Sequence, residues 1–175
     1  MKSNFELMAS YNQWMNKSTY EAASNLAEDE LEADLGAFFG SIIGTLNHIL
    51  VGDRIWLKRF ASHDAAFPSL DYVRALEVPS SLDTTLYLNL SALRDARVKM
   101  DEVIVEFASE LADEAIGSTL SYSNTKGERF TKNFGFLLQH FFNHQTHHRG
   151  QVSILLSQSG VDVGVTDLLM SIPSE

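Results

Sequence analysis

The chain has 175 residues, 45% of them apolar, and a formal net charge of -10. That apolar content supports one folded domain with a real core, while a surface this acidic, with no basic stripe to offset it, argues against nucleic-acid binding. No apolar run approaches the ~20 residues of a membrane span, the opening Met1-Lys2-Ser3-Asn4-Phe5-Glu6 lacks the order of a secretory signal, and the absence of cysteine restricts any metal site to imidazole, carboxylate, carbonyl or water; a cytoplasmic location is expected.

In chain order, Phe5, Leu7, Met8, Tyr11, Trp14 and Met15 recur at helical spacing and predict a first amphipathic helix from Asn4 to about Leu26. A second is expected from about Phe38 to Phe60, carrying Ile42, Ile43, Leu46, Ile49, Leu50, Ile55, Trp56 and Leu57. From Ser62 to Ser81 the period is lost, and Pro68 and Pro79 mark a connection. This stretch is long enough to climb back over a helix, since extended chain covers ~3.3 Å per residue. Helices two and three are therefore expected to run parallel, joined by a crossover. The third begins near Leu82, with Ser80 or Ser81 as N-cap, and continues to Leu111. Residues Leu120 to Phe130 enclose the turn-rich Ser121-Tyr122-Ser123-Asn124-Thr125-Lys126-Gly127, which suits a short hairpin. A fourth helix is expected from Asn133 to Ser157, stopped by Gly160, with Asp162 to Glu175 as a tail that packs or frays.

The chemistry concentrates in the histidines. Of six, four fall between His140 and His148, namely His140, His144, His147 and His148. At ~100° per residue they share one arc of the fourth helix with Gln151. Residues four apart lie one turn above another, so His144 and His148 can aim at one point and chelate. His48, in the apolar context Leu46-Asn47-His48-Ile49-Leu50, is the natural third ligand from a facing helix. Three protein ligands leave a position open for water or substrate. Gly36, Gly40, Gly44 and Gly52 lie around His48, and such a column suits either plain helix packing or a groove that brings helix four close. A bare His-x-x-x-His also occurs on ordinary solvated faces. Gln145 stands where a zincin has its glutamate, which removes that metalloprotease reading. The lack of Glu-x-x-His removes the di-iron carboxylate one.

The segment His140-Phe141-Phe142-Asn143-His144-Gln145-Thr146-His147-His148-Arg149-Gly150-Gln151, together with Leu46-Asn47-His48 and Asp53-Arg54-Ile55-Trp56, resembles the DinB/YfiT-like metalloprotein superfamily. Tyr11-Asn12-Gln13-Trp14-Met15-Asn16 and Ser159-Gly160-Val161-Asp162 fit it as well, so the likeness spans nearly the whole chain. The resemblance implies an all-α four-helix bundle in up-down-down-up order. It implies a divalent metal, zinc or nickel, held by the residues matching His48, His144 and His148, and a homodimer. Relatives in that family include thiol S-transferases using bacillithiol or mycothiol and a thiol-dependent maleylpyruvate isomerase.

The expected function is thus that of a metal-binding protein, as a thiol S-transferase or hydrolase acting on a low-molecular-weight thiol and a small electrophile. The alternatives are a stress-response binding module without turnover and a structural metal that locks two helices. His140 and His147 are each either orienting residues or ordinary polar residues near the site mouth, and either could supply a fourth ligand. Tyr122 and Asn124 are candidates for that mouth. Arg149, on the opposite arc, is expected to play a structural part, with Asp53 as a candidate ion-pair partner. The width of the apolar arc Leu137, Leu138, Phe141, Phe142, Val152, Leu155 and Leu156 suits either a dimer face or core packing.

Overall fold

A computed structural model describes residues 1–124 and 126–174; Thr125 of the turn-rich stretch and Glu175 at the end of the tail lie outside the described residues. The chain is mostly helical. The elements, in order, are α1 (Lys2–Ala23), α2 (Glu28–Glu32), α3 (Ile42–Phe60), α4 (Asp71–Ala75), α5 (Leu90–Glu110), α6 (Asp113–Gly117), the antiparallel strands β1 (Thr119–Ser123) and β2 (Arg129–Asn133), and α7 (Phe134–Gln158). A 3-10 turn, Leu168–Ser171, ends the tail. None of the helices is long and apolar enough to cross a membrane, among the described residues.

Three of the four long helices open on a side-chain cap that satisfies an otherwise orphaned amide. Ser41 Oγ accepts from Gly44 N, Asn89 Oδ1 from Ala92 N and Asn133 Oδ1 from Phe136 N. α7 stops where Gly160 turns to φ +79° and the Val161 amide donates to the Leu156 carbonyl. α1 packs on α5 and α7, and α3 packs on α7 and α5. Their apolar faces fill one core that includes Leu46, Leu50, Phe60, Phe107, Phe134 and Phe141.

The expected elements shift in three places. α3 starts at Ile42, so Phe38 and Phe39 lie in the turn before it, bracketed by Gly36 and Gly40 at φ +71° and +74°. The glycine column is therefore cut to Gly44 and Gly52. α5 starts at Leu90, eight residues late, because Asn47 captures the preceding segment. Its Oδ1 accepts from the Leu86 and Tyr87 amides, and its Nδ2 donates to the Tyr87 carbonyl. Backbone groups engaged in that way are unavailable for a helical ladder. The connection between the second and third long helices also holds a 3-10 turn and α4 rather than bare loop. The tail packs: Tyr11 donates to the Thr166 carbonyl at 2.6 Å.

A buried polar cluster ties the long helices together. Asp53 on α3 pairs with Arg97 on α5 and accepts from Gln145 Nε2 on α7 at 2.7 Å. Arg97 also pairs with Asp101, which accepts from Asn16 of α1 at 2.8 Å. Burial pushes the Asp101 carboxyl up to about 6, against the pull of Arg97. Arg149 of α7 donates to Asn12 of α1. Every member is at most 3% exposed, and buried ionic groups are tolerable only when paired; Arg97 Nε and Gln145 Oε1 nonetheless lack a hydrogen-bond partner among the described residues. Arg149 does play the structural part expected of it, but its partner is Asn12; Arg97 takes the place beside Asp53. The seven apolar residues of the α7 arc are all buried within this chain, so core packing accounts for them without a second copy.

Candidate metal centre

The cluster just described lies beside the histidines, next in sequence to His144 on α7 and to Gly52 on α3. Asp53 follows Gly52, and Gln145 follows His144, so their hydrogen bond sets the register of α3 against α7 at the level of the site. His48 arrives from α3, and His144 and His148, one turn apart, from α7. The three rings converge, with centroids 5.1 Å (His48–His144), 4.4 Å (His48–His148) and 4.4 Å (His144–His148) apart. One ligating nitrogen from each can be chosen so that all lie within 4.8 Å of one another.

Hydrogen bonding decides which nitrogens face inward. His48 Nδ1 lies 2.8 Å from the Leu82 carbonyl, which can only accept, so Nδ1 carries the proton and Nε2 is bare. His148 Nδ1 donates to Gln151 Oε1 at 2.7 Å, leaving its Nε2 bare as well. Those two Nε2 atoms stand 3.1 Å apart. Two lone pairs at that separation repel unless something positive lies between them. The donor set thus fits a divalent cation that accepts neutral imidazoles.

Protonation is an expensive alternative. Burial holds His144 down to about 3, assisted by the neighbouring His148 and His48. Burial also lowers His48 and His148.

The close approach of the helices has one identifiable cause. A Cβ placed on Gly52 would lie 2.6 Å from His144 Cε1, well inside van der Waals contact. Gly52 is therefore the column member that lets His144 approach, while a Cβ on Gly44 would run into the Phe39 carbonyl. On the other side Phe39 stacks on His48, with ring centroids 3.7 Å apart and an interplanar angle of 17°. The Phe39 ring also meets the edge of His148 at 5.7 Å. Periodicity missed Phe39 because it assigned the residue to the helix; the bracketing Gly36 and Gly40 were the available signal.

His147 is exposed, and its Nε2 lies 3.5 Å from Gln151 Nε2, outside the converging set. His140 is exposed too; its ring is 6.2 Å from that of His144 and rests edge-on against Trp56 at 4.9 Å. Neither supplies a fourth nitrogen to the group. Tyr122 packs against Trp56 at 5.5 Å, which brings the hairpin to the site's flank. Asn124 is spent on the turn, where its Oδ1 accepts from the Lys126 and Glu128 amides.

The profile of the DinB family matches residues 1–175. The chain belongs to the DinB family. Protein DinB of Bacillus subtilis is 23% identical over 158 residues, covering 90% of this chain and 87% of that protein. A crystal structure of a DinB-like protein from Bacillus cereus superimposes with a TM-score of 0.57 at 20% identity, covering 86% of this chain and 89% of the other. At that identity the second likeness speaks for the fold alone. As a DinB-family member, the chain carries a three-histidine group at metal-binding distance, with one imidazole buried and two half-buried.

Proposed function

We propose that His48, His144 and His148 hold a divalent metal, zinc or nickel, and that the protein is a metal-dependent thiol S-transferase or hydrolase. The observation that carries this reading is the pair of bare Nε2 atoms facing each other at 3.1 Å, each fixed by a hydrogen bond on the far side of its ring. A divalent cation bound there would supply Lewis acidity and lower the pKa of a coordinated thiol or water. The chain's own residues do the rest. Leu82 and Gln151 fix the tautomers of His48 and His148. Phe39 keeps water from the outer face of His48. His144 and His148, both half-buried, leave the centre approachable from solvent, as an open position requires.

The same proposal takes the four long helices as an up-down-down-up bundle forming one domain, and the functional unit as a homodimer. Sedimentation of the purified protein tests the dimer. For the centre, elemental analysis is expected to find stoichiometric zinc or nickel, lost in His48→Ala and His148→Ala. A screen of small thiols against electrophiles, with and without chelator, is expected to show metal-dependent turnover. Protein that takes up no divalent metal would end the reading. Metal that raises the melting temperature without any turnover would instead support a structural ion.

A further inference from the structure

One cation beside the site has no partner among the described residues. Arg59, about three turns along α3 from His48, lies with its Cζ 4.6 Å from the centre of the Trp56 ring and 5.0 Å from that of Tyr122. Cation–π contact with two rings, themselves inclined at 61°, confines the guanidinium without using any of its N–H donors as hydrogen bonds. Among the described residues, the Arg59 side chain makes no hydrogen bond and no ion pair. Its donors border a cleft of about 310 Å³ that Ser62, Val78, Tyr122 and Asn124 also line. Its neighbour Lys58 is already committed, donating to the carbonyls of Val73 at 3.1 Å, Arg74 at 3.0 Å and Leu76.

Two features join this guanidinium to the histidines. Trp56 touches both Arg59 and His140, and His140 leads to His144. The charged groups that bear on His140 are Lys132 and Arg59, both cationic. A chain with a net charge of -10 thus places a locally positive, aromatic-floored lane beside its histidine centre. Along α3, at ~1.5 Å per residue, Arg59 lies roughly 10 Å beyond Gly52, the residue against which His144 packs. A small molecule can span that interval.

We propose that Arg59, resting against both Trp56 and Tyr122, binds a carboxylate carried by the substrate whose reacting end lies at the three-histidine centre. This deepens the reading above and rests on it for the identity of the reacting end, though the carboxylate contact itself needs no metal. A planar fork offers a carboxylate two parallel bonds. The substrate class is therefore small organic acids.

The test uses the full chain carrying Trp14→Phe, which leaves Trp56 as its single tryptophan. Succinate is titrated into chelator-treated protein at constant ionic strength, following Trp56 fluorescence, with calorimetry as a second readout. A saturable response is expected, with its midpoint weakened about tenfold or more by Arg59→Gln, and by less in Arg59→Lys, which keeps charge but loses the fork. Metal affinity in Arg59→Gln should match that of the parent. No saturable response, an unchanged midpoint in Arg59→Gln, or inorganic phosphate binding as tightly as succinate would overturn the proposal. Loss of metal binding in the parent, with the succinate response intact, would end the metal reading and leave the carboxylate site standing.

Discussion

Gly52→Ala separates stability from site geometry, because its two effects have opposite signs. In a helix interior, alanine is favoured over glycine by about 0.8–1.0 kcal/mol. The new methyl would stand 2.6 Å from His144 Cε1, 3.2 Å from Nδ1 and 3.4 Å from Nε2. Ordinary carbon contacts are ~3.5–4.0 Å, so about 1 Å must be found. Every atom in the way belongs to the end of one half-buried side chain, and none to backbone. His144 can therefore rotate outward at little cost to the fold, and the centre loses one of its three nitrogens. The expected result is a metal-free melting temperature equal to or slightly above the parent's, together with metal affinity weakened by about 10–100-fold, the range seen when ligand orientation is lost. Competition calorimetry with zinc and nickel measures the affinity, and thermal denaturation in chelator measures the stability. Affinity within about threefold of the parent would refute the claim that this close approach builds the site.

Three further outcomes follow from the same geometry. Gln151→Leu removes the acceptor that fixes His148 Nδ1–H and should weaken metal binding about tenfold; unchanged calorimetry would show that Gln151 is a bystander. Asp53→Ala leaves Arg97 buried with only Asp101 for a partner and should cost about 3 kcal/mol in urea denaturation, the lower end for breaking a buried pair; a loss below about 1 kcal/mol would count against the cluster as the lock on helix register. The metal-free protein should lose stability as pH falls from about 6.5 towards 3, because His144 is held down to about 3 in the folded state while the unfolded chain takes up its proton near the ordinary histidine value of about 6.5. His144→Gln should flatten that slope, and identical melting curves for the two proteins across the window would remove His144 as its source.

The second structural layer explains why these histidines stay neutral and convergent. Asp53 and Gln145 sit beside the site but direct their polar atoms into the core, so the position that a zincin gives to a catalytic glutamate here serves packing. His48 feels Asp53 only as a minor influence, behind burial and the Leu82 carbonyl. A polar core thus fixes the site without entering its chemistry.

The sequence by itself determined the helical class, the hairpin before α7, the stop at Gly160 and the three histidines worth examining. Each of these is local: a 3.6-residue period, a run of turn residues, a glycine able to take positive φ, or a four-residue spacing that stacks two rings on one helix face. Only the tertiary structure decided where α3 and α5 begin, that Phe39 covers His48, that Leu82 and Gln151 set the tautomers, and that Arg97, not Arg149, answers Asp53. Several of those facts depend on groups 34 to 44 residues apart, such as Asn47 with Leu86 and Tyr87, His48 with Leu82 and Asp53 with Arg97. Such pairs exist only once the helices have packed, and no period along the chain encodes which of several suitable partners will be met there.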